Sequence, residues 1–159
     1  MAEIFVNMGE IKVAAGGDVL ITVGLGSCVG VALYDRENKV GGMAHVFLAS
    51  SRDSRGTEQP GKFADTAIPA LIEAVVRVGG RRSLLVAKIA GGANLFPKLS
   101  EASLNVGMQN VAAVKEHLAL HNVPLRGEDV GGSIGRKMIL YVESGKVMVQ
   151  SIGSEPREI

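Results

Sequence analysis

At 159 residues, 47% of them apolar, the chain is sized for one domain that buries roughly 68–70% of the surface its unfolded form exposes, and it needs no disulfide to fold. A net charge of +1, basic residues scattered apart from Arg81 and Arg82, and an aromatic set of four Phe, two Tyr and no Trp give neither the electrostatic footprint nor the stacking platforms of a nucleic-acid binder. A single cysteine rules out an internal disulfide, Glu3 and Glu10 stand where a signal peptide carries positive charge, and no apolar run reaches the roughly 18–20 residues of a membrane span, so a soluble cytoplasmic protein is expected.

Glycine punctuates the chain, and the Val/Ile/Leu-rich runs between glycines read as strands. The first four fall at 11–14, 19–23, 29–34 and 40–47, with ENK as a hairpin-length loop between the last two. Residues 49–62, ASSRDSRGTEQPGK, are polar and contain Pro and Gly, which reads as a mobile loop. Ala67, Ile68, Leu71, Ile72, Val75 and Val76 then form a helical stripe, with Asp65 placed to cap its start and Gly79-Gly80 to end it. Pro69 fits this helix best if it falls in the first turn. A strand is expected at 84–89, and a second helix carries Met108, Val111, Val114 and Leu118 and closes near Asn122. Strands at 137–142 and 146–152, joined by ESGK, complete one α+β domain: a layered arrangement of mostly antiparallel β-sheets with about two packed helices.

The chemistry centres on 23–35, VGLGSCVGVALYD, which holds Cys28. Its glycines at 24, 26 and 30 do not form G-x-G-x-x-G, and a strand follows where a dinucleotide motif opens a helix. Cys28 is therefore either a buried small hydrophobe or a nucleophile. A hairpin turning near residue 37 pairs positions whose numbers sum to 73 or 74, which sets Cys28 opposite His45 or Val46. A one-residue slip would turn the histidine to the other face. His45 supplies the partner that thiolate formation needs, and Thr22 is a hydroxyl able to fold back and hold the ring's tautomer. Gly30 and Ala32 share the face of Cys28 and leave room beside the sulphur. Gly26-Ser27 can take the sharp backbone that points amide N–H groups at one spot, as an oxyanion hole requires, although for the glycines alone a plain tight turn with no chemistry is the simpler account; in the mechanism the Ser27 and Cys28 amides would hold the oxyanion. His117 and His121 have metal-compatible i, i+4 spacing but no third ligand nearby, so a solvated face is expected. Arg136, after GGSIG, is either an anion contact or a charge at the mouth of a strand.

The runs TVGLGSCVGVALYD, GGMAHVFL, PGKFADTA, AKIAGGANLF, NVGMQNV and GGSIGRK, in this order over nearly the whole chain, resemble the chemoreceptor glutamine deamidase family CheD. The resemblance implies hydrolysis of selected glutamine amides in the cytoplasmic domains of methyl-accepting chemotaxis receptors, with the family's catalytic cysteine, histidine and threonine falling on Cys28, His45 and Thr22. It also implies a fold similar to the cytotoxic necrotizing factor deamidases and binding to the chemotaxis phosphatase CheC. Gly91, Gly92, Gly107, Asn110, Gly131, Gly132 and Arg136 match the remaining motifs in structural or site-supporting roles, while Leu48-Ala49 and Phe63, beside the 49–62 loop, depart from the pattern.

The expected reaction is acyl transfer through a Cys28 thioester, with His45 serving as acid and then base, and no step requires a metal or organic cofactor. Two other readings remain at this level. One keeps the chemistry and changes the substrate, receptor methyl esters being nearest. The other is a binding module that regulates a signalling phosphatase and has no need of the thiol.

Overall fold

VGVALYD and VGGMAHV, the most continuously apolar runs, become β4 (Val29–Asp35) and β5 (Val40–Val46), and every residue of both is buried. That is the pattern of central strands covered on both faces. The computed structural model describes residues 1–52, 59–95 and 105–159 and assigns to them ten strands and two α-helices. The remaining elements are β1 (Glu3–Phe5), β2 (Ile11–Ala15), β3 (Val19–Leu25), α1 (Ala64–Arg77), β6 (Val86–Gly91), α2 (Val106–Leu120), β7 (Leu125–Val130), β8 (Arg136–Tyr141), β9 (Lys146–Ser151) and β10 (Arg157–Glu158).

The strands form two five-stranded sheets, ordered β1-β3-β8-β9-β10 and β2-β5-β4-β6-β7. One face of the second sheet contributes Val29, Val31, Leu33, Ala44 and Val46 to a core shared with Ile68, Leu71 and Val75 of α1 and Val111, Val114 and Leu118 of α2. Its other face contributes Cys28, Ala32, Tyr34 and Met43 to a core shared with Leu20, Met138, Leu140, Val147 and Val149 of the first sheet. The molecule is thus three layers: helices, sheet, sheet. The outermost sheet has one open face, so β8 alternates buried and accessible residues along its length.

The α+β class, the layering and the two helices agree with the sequence reading. Pairing is antiparallel except for β1 with β3 and β6 with β7; the second parallel pair is joined by the α2 crossover. The strand expected at 84–89 starts two residues later, because Arg82–Leu84 form a 3-10 turn. Pro69 lies inside α1, beyond its first turn, and the helix continues through it. Phe63, rather than Asp65, is the N-cap of α1; Asp65 instead accepts from the Ser51 amide at 3.0 Å and the Ser51 hydroxyl at 2.8 Å. Met108 points outward, and the buried face of α2 carries Gly107 and Asn110 in its place. Within the 49–62 loop, Pro60–Lys62 form a 3-10 turn, and residues 53–58 lie outside the described residues.

The β4–β5 hairpin closes with Asp35 opposite Val40, so paired numbers sum to 75, not 73 or 74. Asp35 belongs to the strand because its carboxylate accepts from Asn38 N at 3.0 Å and Asn38 Nδ2 at 2.6 Å, which fixes a four-residue loop from Arg36 to Lys39. His45 therefore stands opposite Gly30, not Cys28.

Candidate active site

Residues two apart on a strand share a face, and directly opposed residues share a face across strands. His45 is two residues from Met43 on β5, and Cys28, in the bend just before β4, joins Met43 and Ala32 in the inter-sheet core, so cysteine and histidine lie on the same side of the sheet. The pairing is shifted by two residues from the register that set Cys28 opposite His45, which preserves the face, and by one from the register that set it opposite Val46. Both residues are buried, Cys28 4% and His45 3% exposed, on the side of the second sheet that faces the first.

Thr22 comes from the opposite sheet. It pairs with Met138 just before β3 bulges at Val23 and Gly24, the latter with φ of 69°. Fully buried, Thr22 donates its hydroxyl proton to the Val6 carbonyl at 2.7 Å, and its oxygen lies 2.7 Å from His45 Nδ1. A hydroxyl has one proton, and the Val6 carbonyl can only accept, so Thr22 meets Nδ1 with a lone pair. It follows that Nδ1 carries the imidazole proton and Nε2 keeps its lone pair. Nε2 is buried and unpartnered among the described residues.

Burial pushes the Cys28 thiol above its ordinary range, an effect partly opposed by the N–H of its own backbone. Burial likewise pushes His45 below the usual imidazole range, against a smaller opposite pull from the Val6 carbonyl. Both shifts favour a neutral thiol beside a neutral imidazole over a thiolate–imidazolium pair.

The loop ahead of β4 is pinned by its carbonyls. Gly26 O accepts from Ala93 N at 2.8 Å, Ser27 O from Asn110 Nδ2 at 2.9 Å and Cys28 O from Gly92 N at 2.8 Å. Gly91 and Gly92, with φ of 114° and 67°, let the chain leaving β6 run against this loop; a Cβ on Gly91 would lie 2.2 Å from Cys28 O. Gly26 packs under Leu95, close enough that a Cβ on this glycine would lie 2.8 Å from Leu95 Cδ1.

Not every expected feature holds. The space beside Gly30 is filled: a Cβ there would meet the Met138 sulphur at 2.9 Å and Leu25 and Thr22 methyls at 3.2 Å, so this glycine serves sheet packing and leaves no room for a substrate side chain. Arg136 opens β8 with its charge met inside the chain. Its guanidinium pairs with Asp129 at 2.6 Å and donates to the carbonyls of Asp129, Gly131 and Ile134, bracing the 131–135 loop. His117 sits in the last turn of α2 and His121 caps it. The carbonyls of Val6 and Phe47 are participants that the sequence reading missed, because a backbone acceptor carries no residue-type signal.

A family model described as CheD chemotactic sensory transduction matches residues 47–151. A probable chemoreceptor glutamine deamidase CheD of Desulforamulus reducens is 47% identical over 154 residues, covering 96% of this chain and 93% of that protein. The protein of the same description from Symbiobacterium thermophilum is 45% identical, covering 97% and 95%, and one from Clostridium botulinum is 43% identical, covering 99% and 98%. Thr22, Cys28 and His45 precede the stretch matched by the family model but fall within these near-complete alignments. Among solved structures, a Neisseria meningitidis protein of the DUF152 family superposes with a TM-score of 0.55 at 10% identity over 84% of this chain, a likeness of fold alone; the chain spans 65% of that structure's length.

Proposed function

The chain belongs to the CheD family, and from that premise we propose that it is a cysteine-dependent glutamine deamidase acting on the cytoplasmic domains of chemoreceptors. The observation that carries the mechanism is the Val6–Thr22–His45 relay, which fixes the imidazole tautomer and leaves an unpartnered Nε2 lone pair on the face of Cys28.

From the neutral resting pair, the Cys28 Sγ–H proton passes to His45 Nε2 as sulphur bonds to the glutamine carboxamide carbon. The carbonyl oxygen takes the negative charge and is met by the Ser27 and Cys28 amides, neither of which donates to another backbone carbonyl among the described residues. The C–N bond then breaks, His45 returns the proton to nitrogen, and ammonia leaves. A thioester to Cys28 remains. His45 next accepts a proton from water as its oxygen attacks the thioester, and expulsion of the thiol releases glutamate. Thr22 keeps the ring in place and, through its lone pair, supports the transient imidazolium.

The same reading includes action at the receptor array and regulation by CheC. No helix among the described residues is long and apolar enough to cross a membrane.

The test is mass spectrometry of a receptor cytoplasmic fragment incubated with the protein, with ammonia assayed in parallel and Cys28→Ala as control. Conversion of discrete glutamines to glutamate, absent with the variant, is expected. Methanol release from a methylated fragment without ammonia would reassign the activity to esterase. An unmodified fragment that still co-purifies would favour the binding module.

A further inference from the structure

Asn110 is fully buried in the helical layer, and both N–H bonds of its amide go to backbone carbonyls: Ser27 O at 2.9 Å and Phe47 O at 3.0 Å. Since carbonyls only accept, this fixes which end of the amide faces them, and it leaves Oδ1 buried with no partner among the described residues. A stranded acceptor is a cost that packing gives no reason to bear, because an apolar side chain would fill the same volume without it. The two carbonyls are distinctive in position. Ser27 precedes the cysteine, and Phe47 lies two residues beyond the histidine, so one side chain ties together the backbones that carry both.

A trans peptide is planar, with its C=O and N–H pointing in opposite directions. Holding the Ser27 carbonyl toward Asn110 therefore aims the Cys28 N–H away from α2.

We propose that Asn110 is a positioning residue: it sets the Ser27–Cys28 peptide so that the Cys28 N–H receives the oxyanion. This inference rests on Cys28 as nucleophile, part of the proposed function, but not on the identity of the substrate.

The test separates a reaction that develops an oxyanion from one that does not. Acylation of Cys28 by p-nitrophenyl acetate passes through a tetrahedral oxyanion, whereas alkylation by iodoacetamide is a displacement at carbon that makes none. In Asn110→Ala the acylation rate is expected to fall about 100-fold, the size of losing one oxyanion donor, while alkylation stays essentially unchanged. Equal loss of both, or loss of neither, overturns the proposal. The wild-type protein supplies a second measurement should the variant fail to fold. On acetylation of Cys28, the Cys28 amide proton should become protected from exchange as the thioester carbonyl accepts it, with the Asn110 Nδ2 protons protected throughout. A Cys28 amide that exchanges alike before and after overturns the proposal. Wild-type protein that shows the acylation-to-alkylation contrast with Asn110→Ala yet leaves receptor fragments unmodified would refute the substrate and uphold the role of Asn110.

Discussion

Thr22 spends its one proton on Val6 and its lone pair on His45, so the hydroxyl cannot be replaced by shape alone. Thr22→Val keeps the volume and removes both bonds. It should lower kcat by about 10²–10³-fold, within the range for misplacing a general base, with KM little changed, whereas Thr22→Ser should retain most activity. Steady-state kinetics on the receptor fragment would decide it. The state of the pair is tested by pH. With Cys28 raised and His45 lowered by burial, thiolate forms only as pH climbs past the ordinary thiol range. Cys28 alkylation should therefore rise monotonically, with a midpoint above that of a free thiol. A rate plateau from weakly acidic to neutral pH would instead mark a resting ion pair and contradict the neutral one.

At the scale of elements, the glycines after β6 are the sharpest case. A methyl on Gly91 would lie 2.2 Å from Cys28 O in a left-handed backbone, so Gly91→Ala should cost more than about 2 kcal/mol and displace the loop that carries Cys28. Gly153 shares the positive φ but meets nothing within 4 Å, and Gly153→Ala should cost about 1 kcal/mol with activity intact. Chemical denaturation of the two variants separates conformational strain from steric collision. The central strands were legible because β4 and β5 are apolar on both faces. β1 and β10 were not, being short edge strands, and neither was β7, whose LRGEDV carries three charges and a glycine as edge strands do. The site was legible in part. Cys28, His45 and Thr22 were named by residue type and spacing, but the register depended on Asp35 joining its strand through Asn38, a side-chain bond that periodicity does not encode. Asn110 matched a motif, yet its role depends on two carbonyls distant in sequence.

On the scale of the whole molecule, the layers divide the labour. The helices hold the second sheet and, through Asn110, the loop that carries the thiol; the second sheet supplies Cys28 and His45; the first sheet supplies the hydroxyl that bonds the His45 ring. No single layer contains the relay. The strand bearing Thr22 has its antiparallel partner in β8, residues 136–141, while everything else the chemistry uses lies before residue 111. During synthesis, then, cysteine and histidine leave the ribosome long before β8, and until it follows, β3 has only the short β1 to pair with. On the proposed mechanism, a nascent chain would carry its nucleophile early and complete the sheet that orients it only near the end, when the last strands close the sandwich.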